Sequence, residues 1–244
     1  MFKISVFNKR NPKLTHDEYR SCHVGFHLSG LRRLRDIRGC VSNIWSDRDF
    51  DEQVPGAGKH EPVGFFDLWD SLDEMWFDSY ELYQKSYEWE PDKATDHGLV
   101  FDVRGMSAMK NHMKFLFSEA PKQFVCAEHI ILPVVRKEHI PIKVQQWGKR
   151  SKNLSKVEFM RIWEKEYAPL FKTVNNINGY IITFPIEPID SMNDLYSTEF
   201  TNDSINENQS SRSINFLSKW DGFAFLWIES LEDLRKHRRP NHDQ

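Results

Sequence analysis

Two stretches of the chain read alike at a fixed offset, and this repeat limits the folds open to it. Lys9-Arg10-Asn11-Pro12-Lys13-Leu14-Thr15-His16-Asp17-Glu18-Tyr19 is echoed 140 positions later by Lys149-Arg150-Ser151-Lys152-Asn153-Leu154-Ser155-Lys156-Val157-Glu158-Phe159. Each follows a stretch rich in strand formers, residues 2–7 and 142–147. Each turns over a basic pair and opens a helix with a capping box, Thr15 with Glu18 and Ser155 with Glu158. The hydroxyl of such a box accepts from the third helical N–H, while the glutamate reaches back to the cap. Inward stripes follow at helical spacing: Tyr19, His23, Phe26/His27, Gly30/Leu31, Leu34 and Ile37, then Phe159, Trp163, Tyr167, Leu170, Val174 and Ile177. Gly39 and Gly179 stand where each helix is expected to end.

The rest of the first half reads as a second strand from Cys40 to Trp45, a polar loop over 46–62 and a third strand from Val63 to Trp69. A helix capped by Ser71, a loop from Tyr87 to Arg104 and a fourth strand over 113–118 complete it. That order, βαββαβ, predicts an α+β sandwich with helices on one face of an antiparallel sheet. The second half repeats it through Tyr180–Phe184 and Phe223–Ile228, with a longer insertion over 186–219 that is polar from Thr198 to Ser213. A helix opens at Ser230, and no fourth strand follows. Glu128 to Val135 is strand-like; a hairpin into 142–147 would fill that place, so the second repeat is expected to be incomplete or rearranged. Residues 1–121 and 122–244 are the expected domains.

Composition narrows the function classes. The 33 basic and 36 acidic residues are interspersed, and a net charge of -3 gives no field to recruit nucleic acid or an anionic membrane. Three cysteines without CxxC spacing argue against a disulfide framework and a structural zinc site, and fit a reducing cytoplasm. No apolar leader follows Met1 and no apolar run approaches a membrane span. Gly58-Lys59 lacks the first glycine and the Ser/Thr of a phosphate loop. The expectation is a cytoplasmic chain with no nucleic-acid or membrane partner.

The strand ending in Lys-Arg, the Ser/Thr-x-x-Glu-aromatic helix start and the histidine eight residues after that aromatic resemble the EthD-like family of the dimeric α/β-barrel, ferredoxin-like superfamily. Leu68-Trp69-Asp70-Ser71-Leu72-Asp73-Glu74-Met75 resembles its apolar–Asp–Ser–Leu–acidic stretch, and Asp96 to Phe101 its acidic-plus-Phe segment. The resemblance covers residues 2–118 and, more thinly, 141–236. It implies two ferredoxin-like repeats forming a fused α/β-barrel, either as a monomer holding an internal pseudo-dimer or as a homodimer. It also implies a small hydrophobic substrate and no cofactor.

His27 falls at the family's histidine position, where the second repeat has Tyr167. As a residue it is a candidate general base or acid, since imidazole titrates near neutral pH; the bland reading is a core histidine bonded to a carbonyl. His23 stands where the second repeat carries Trp163, and is placed with substrate binding. The i, i+4 pair His23 and His27 has metal-ligand spacing, but no third ligand is placed by the sequence, so no metal is expected. Asp67, on the expected third strand, is the second catalytic candidate, because a buried carboxylate needs a partner. Trp45, Trp69, Asp96 and Tyr167 are candidate substrate contacts. The expected function is cofactor-independent acid/base chemistry on an aromatic, lactone or polyketide-like compound: isomerase, cyclase, dehydratase or monooxygenase. The alternative is a non-catalytic small-molecule binder or assembly module of the same fold.

Overall fold

A computed structural model describes residues 1–45, 69–87, 111–135, 142–174, 176–189, 220–230 and 232. The chain is mixed α+β and divides into two compact units. The first takes in Met1–Trp45 with the described parts of Val63–Cys126 and Ile186–Ile214. The second takes in Ala127–Pro185 and the described part of Asn215–Gln244.

In the first unit, β1 (Phe2–Asn8) lies between β3 (Ser71–Phe77) and β4 (Lys122–Leu132), and β2 (Gly39–Ile44) flanks β3. The order β2-β3-β1-β4 is antiparallel throughout, with Val6 opposite Asp73 and Gln123, and Ser42 opposite Asp73. Alternation along a strand sends successive side chains to opposite faces. Ile4, Val6, Met75, Phe77 and Val125 therefore share one face, and pack with Leu31, Leu34 and Tyr83. Burying each large apolar side chain of this layer contributes about 1.5–3 kcal/mol. Lys3, Ser5 and Glu74 point to the other face, where Lys3 Nζ meets Glu74 Oε1 at 2.5 Å and the Asn43 amide donates to Glu74 Oε2 at 2.8 Å.

The helix over the core face starts as α1 (His16–Cys22), widens into a π-turn (His23–His27) and resumes as α2 (Leu28–Leu31). Its capping box forms as expected: Thr15 Oγ1 accepts from the Glu18 N–H, and Thr15 N–H donates to Glu18 Oε2 at 2.7 Å. In the π-turn the Leu28 N–H reaches the His23 carbonyl, five residues back. Helix α3 (Tyr80–Tyr87) follows β3.

The second unit repeats three strands in the order β6-β7-β5: β5 (Ile142–Gly148), β6 (Ile177–Pro188) and β7 (Gly222–Ile228). Its helix, α4 (Lys156–Ile162), has the same capping box at Ser155 and Glu158, then a π-turn (Trp163–Tyr167) and a 3₁₀ segment (Ala168–Thr173). Among the described residues, no helix is long and apolar enough to cross a membrane.

Several expectations about elements fail for a common reason: local patterns were read without their strand partners. Ser71 does not cap a helix; residues 71–77 are strand β3, held on both sides by β1 and β2. Residues 111–116 are helical, although 113–118 read as a strand; the first unit's fourth strand is β4. Gly39 opens β2 instead of closing a helix. The stretch 128–135 does extend, but it neighbours β6, where the Val135 N–H donates to the Asn178 carbonyl, and not β5. The hairpin into 142–147 is therefore absent. Most of the expected strand 63–69, the helix after Ser230 and the insertion from 198 to 213 lie outside the described residues.

Candidate functional site

The basic turns after β1 and β5 serve the backbone. The Arg10 N–H and Nε both bond Asp70, at 2.9 and 3.2 Å; the Arg150 N–H and Nε bond Asp221 at 3.0 and 3.3 Å. In each unit this clamp joins the end of the first strand to the start of the third. The helix that follows then lies over a defined part of the third strand.

In the first unit that superposition brings polar groups together. Tyr19, His23 and His27 recur every four residues on the helix face above Ser71 and Asp73 of β3. The Tyr19 hydroxyl meets Ser71 Oγ at 2.7 Å. His23 Nε2 meets Asp73 Oδ1 at 2.9 Å, and His27 Nε2 stands 3.9 Å from Asp73 Oδ2. From the end of β1, the Asn8 amide donates to Asp73 Oδ2 at 2.9 Å and to Ser71 Oγ at 3.2 Å. Phe117 presses ring edges against His27, His23 and Tyr19, closing the cluster. His23 and Asp73 are fully buried and His27 is 4% exposed.

Burial by itself would raise the Asp73 carboxyl. The charge and hydrogen bond of His23, with His27 behind it, outweigh burial and hold it below the usual carboxylate range. Asp73 is therefore an anion at neutral pH, and His23 must donate Nε2–H to it. Burial, then the neighbouring His23, then His112 against the opposing pull of Asp73, bring His27 down to about 3. His27 is a neutral imidazole at any ordinary pH. Burial, followed by the Asp73 charge, raises the Tyr19 phenol well above its usual range, so it stays a hydrogen-bonding hydroxyl. The Nδ1 atoms of His23 and His27 are buried without a hydrogen-bond partner among the described residues.

The sequence candidates separate accordingly. His23 and His27 meet in this cluster. Trp69 is fully buried but packs on Phe7, whose side chain belongs to the opposite sheet face. Trp45 follows β2, where its carbonyl accepts from His16 Nε2 at 2.7 Å. Tyr167 is 41% exposed in the second unit, its hydroxyl accepting from the Gln146 amide at 2.9 Å. Asp67 and Asp96 lie outside the described residues.

Asp73, Asn8, Ser71 and Tyr19 are the members that sequence reasoning passed over. A signal for Asp73 existed: Trp69-Asp70-Ser71-Leu72-Asp73-Glu74-Met75-Trp76 is echoed by Trp220-Asp221-Gly222-Phe223-Ala224-Phe225-Leu226-Trp227. Aligning the two Trp-Asp pairs identifies residues 71–77 as a strand like 222–228, with Asp73 on the face of Met75. The chain matches no known family, and no curated protein matches it.

Proposed function

We propose that this chain is an enzyme of two ferredoxin-like, EthD-like repeats that moves a proton on a small hydrophobic compound, with the His23–Asp73 pair as its acid/base group. The fold part of this reading is supported by the order β2-β3-β1-β4, which is that of a βαββαβ ferredoxin-like unit, and by its partial recurrence as β6-β7-β5. The chemical part is carried by one observation: a fully buried carboxylate fixes His23 through Nε2 and leaves Nδ1 without a partner among the described residues. A carboxylate so placed sets the tautomer of an imidazole and stabilises the imidazolium that forms when the other nitrogen takes a proton. In the proposed step His23 Nδ1 accepts a proton from an acidic C–H or O–H and returns it to another atom of the same molecule. Isomerisation, cyclisation or dehydration needs no more, and no electrons are exchanged. His27 and half-buried His112 continue from His23 as a line of imidazoles, with ring centroids 4.9 and 6.2 Å apart.

The experiment starts from a thermal-shift panel of phenols, lactones and quinones, followed by turnover assays on the compounds that stabilise the protein. His23→Gln is expected to keep binding and lose about 10²–10⁴-fold in kcat, the usual contribution of a positioned acid/base. Unchanged kcat in His23→Gln and Asp73→Asn would make the pair a structural bond and end this reading.

A further inference from the structure

We infer that His23, His27 and Asp73 also form a binding site for one divalent first-row transition-metal ion, a use of the cluster beyond proton transfer. The inference rests on the same cluster as the proposed function but not on its proton-transfer step.

The first argument is charge. The first unit buries two neighbouring carboxylates of β3 on opposite faces of the sheet, Asp73 and Glu74. Glu74 meets a buried cation, Lys3 Nζ, at 2.5 Å. Asp73 is held instead by the Asn8 amide at 2.9 Å and by two imidazoles, His23 Nε2 at 2.9 Å and His27 Nε2 at 3.9 Å. A buried carboxylate is costly unless its charge is matched. A metal ion on the helix face would supply for Asp73 what Lys3 supplies for Glu74.

The second argument is geometry and ligand type. One donor atom from each of the three residues can be chosen so that all lie within 4.8 Å of one another. Neighbouring ligand atoms on a common tetrahedral or octahedral ion with bonds of ~2.1 Å stand ~3.0–3.4 Å apart, so a gap of 4.8 Å closes by side-chain rotations of about 1.5 Å in all. The 2.9 Å from His23 Nε2 to Asp73 Oδ1 already suits two ligands of one ion. Two imidazoles and one carboxylate leave positions open for water or substrate, the pattern of non-haem iron and catalytic zinc sites. The ion would replace the proton shared by His23 Nε2 and Asp73, and the ring protons would then sit on the two Nδ1 atoms. The helix supplies both histidines from one π-turn, a distortion that recurs at functional sites.

The second unit is an internal control. It has the same π-turn, but Trp163 and Tyr167 replace the histidines and Ala224 replaces Asp73 in register. Binding should therefore saturate at one ion per chain. The test is titration of chelator-treated full-length protein with Co²⁺ alone, read by calorimetry and by visible d–d absorption. One equivalent is expected, with affinity lowered at least about 100-fold in Asp73→Asn and in His27→Gln, more than loss of an outer-shell partner usually costs. His129→Gln, in the second unit, should bind as the parent does. His27→Gln is decisive should Asp73→Asn fail to fold. No Co²⁺ binding by the parent, or equal binding by a folded His27→Gln, overturns the site. If His23→Gln still abolishes turnover in that case, the proton-transfer reading stands alone; if the ion binds but turnover is unaffected by His23→Gln, the metal site stands and the proton-transfer reading falls.

Discussion

The two units share a strand, a capped helix start and a π-turn, and fill the layer beneath with opposite chemistry. Both have the Lys-Arg turn clamped by an aspartate, the capping box and the π-turn. Under the π-turn, the first unit places Asn8, Ser71, Asp73, His23 and His27. The second has Gly148, Gly222, Ala224, Trp163 and Tyr167 at the corresponding positions. The exchange is concerted. A Cβ on Gly148 would collide with the Trp163 indole, and one on Gly222 would stand 2.7 Å from the Phe184 ring and 3.2 Å from the indole, so the glycines leave room for both rings. Trp163 donates to the Tyr180 hydroxyl at 3.1 Å, which donates to Gln146 at 2.9 Å, and Gln146 donates in turn to Tyr167. That network is neutral throughout, whereas the first unit holds an anion. The π-turn is therefore common to both units, and the histidines and Asp73 belong to one of them.

Three experiments press on this contrast. The largest effect is expected from Trp163→Ala, because the buried indole packs on Phe159 and Phe184 at the centre of the second unit's core. Its loss should cost about 3–5 kcal/mol in denaturant unfolding. A cost under 1 kcal/mol would mean that the second unit's layer does not depend on the indole. Acid comes next, and the first unit's buried cluster should respond. Folded His27 takes a proton only near 3, whereas an unfolded histidine does so near 6.5. Between those values the unfolded chain binds more protons, so stability falls as pH falls. From pH 7 to pH 5 the loss should be about 2 kcal/mol. Asp73, held below its usual range, adds loss in the same direction at lower pH. His27→Gln should flatten the slope between pH 7 and 5, and an unchanged slope would assign it elsewhere. The smallest effect should be shared: Thr15→Ala and Ser155→Ala are each expected to cost about 1 kcal/mol, since the boxes are alike. Unequal costs would show that the repeat is not energetically equivalent even where it is geometrically the same.

Where a signal was local, the sequence carried it. Thr15, Glu18, Ser155 and Glu158 mark helix starts by bonds that close within four residues, and both formed. Strands β1 and β7 were plain from composition, and the offset of 140 pointed to two matching helix starts before any contact was known. It also directed attention to His27 and its loss at Tyr167.

Asp73 was not legible in the same way. Ser71-Leu72-Asp73-Glu74 satisfies a capping-box pattern as well as it satisfies an alternating strand, and pairing with β1 and β2 decides between them. Met113 to Phe117 shows the reverse, a strand-like run of which residues 113–116 are helical, with Met113, Leu116 and Phe117 packing against Leu14 and Tyr19. The amino-acid sequence by itself determined the helix starts and one inward histidine face, because capping and periodicity act over a few residues. Tertiary structure decided that His23 is the histidine bonded to a carboxylate, and that this carboxylate is Asp73. The two residues are 50 positions apart, and only the pairing of β1 with β3 beneath the helix brings them to 2.9 Å.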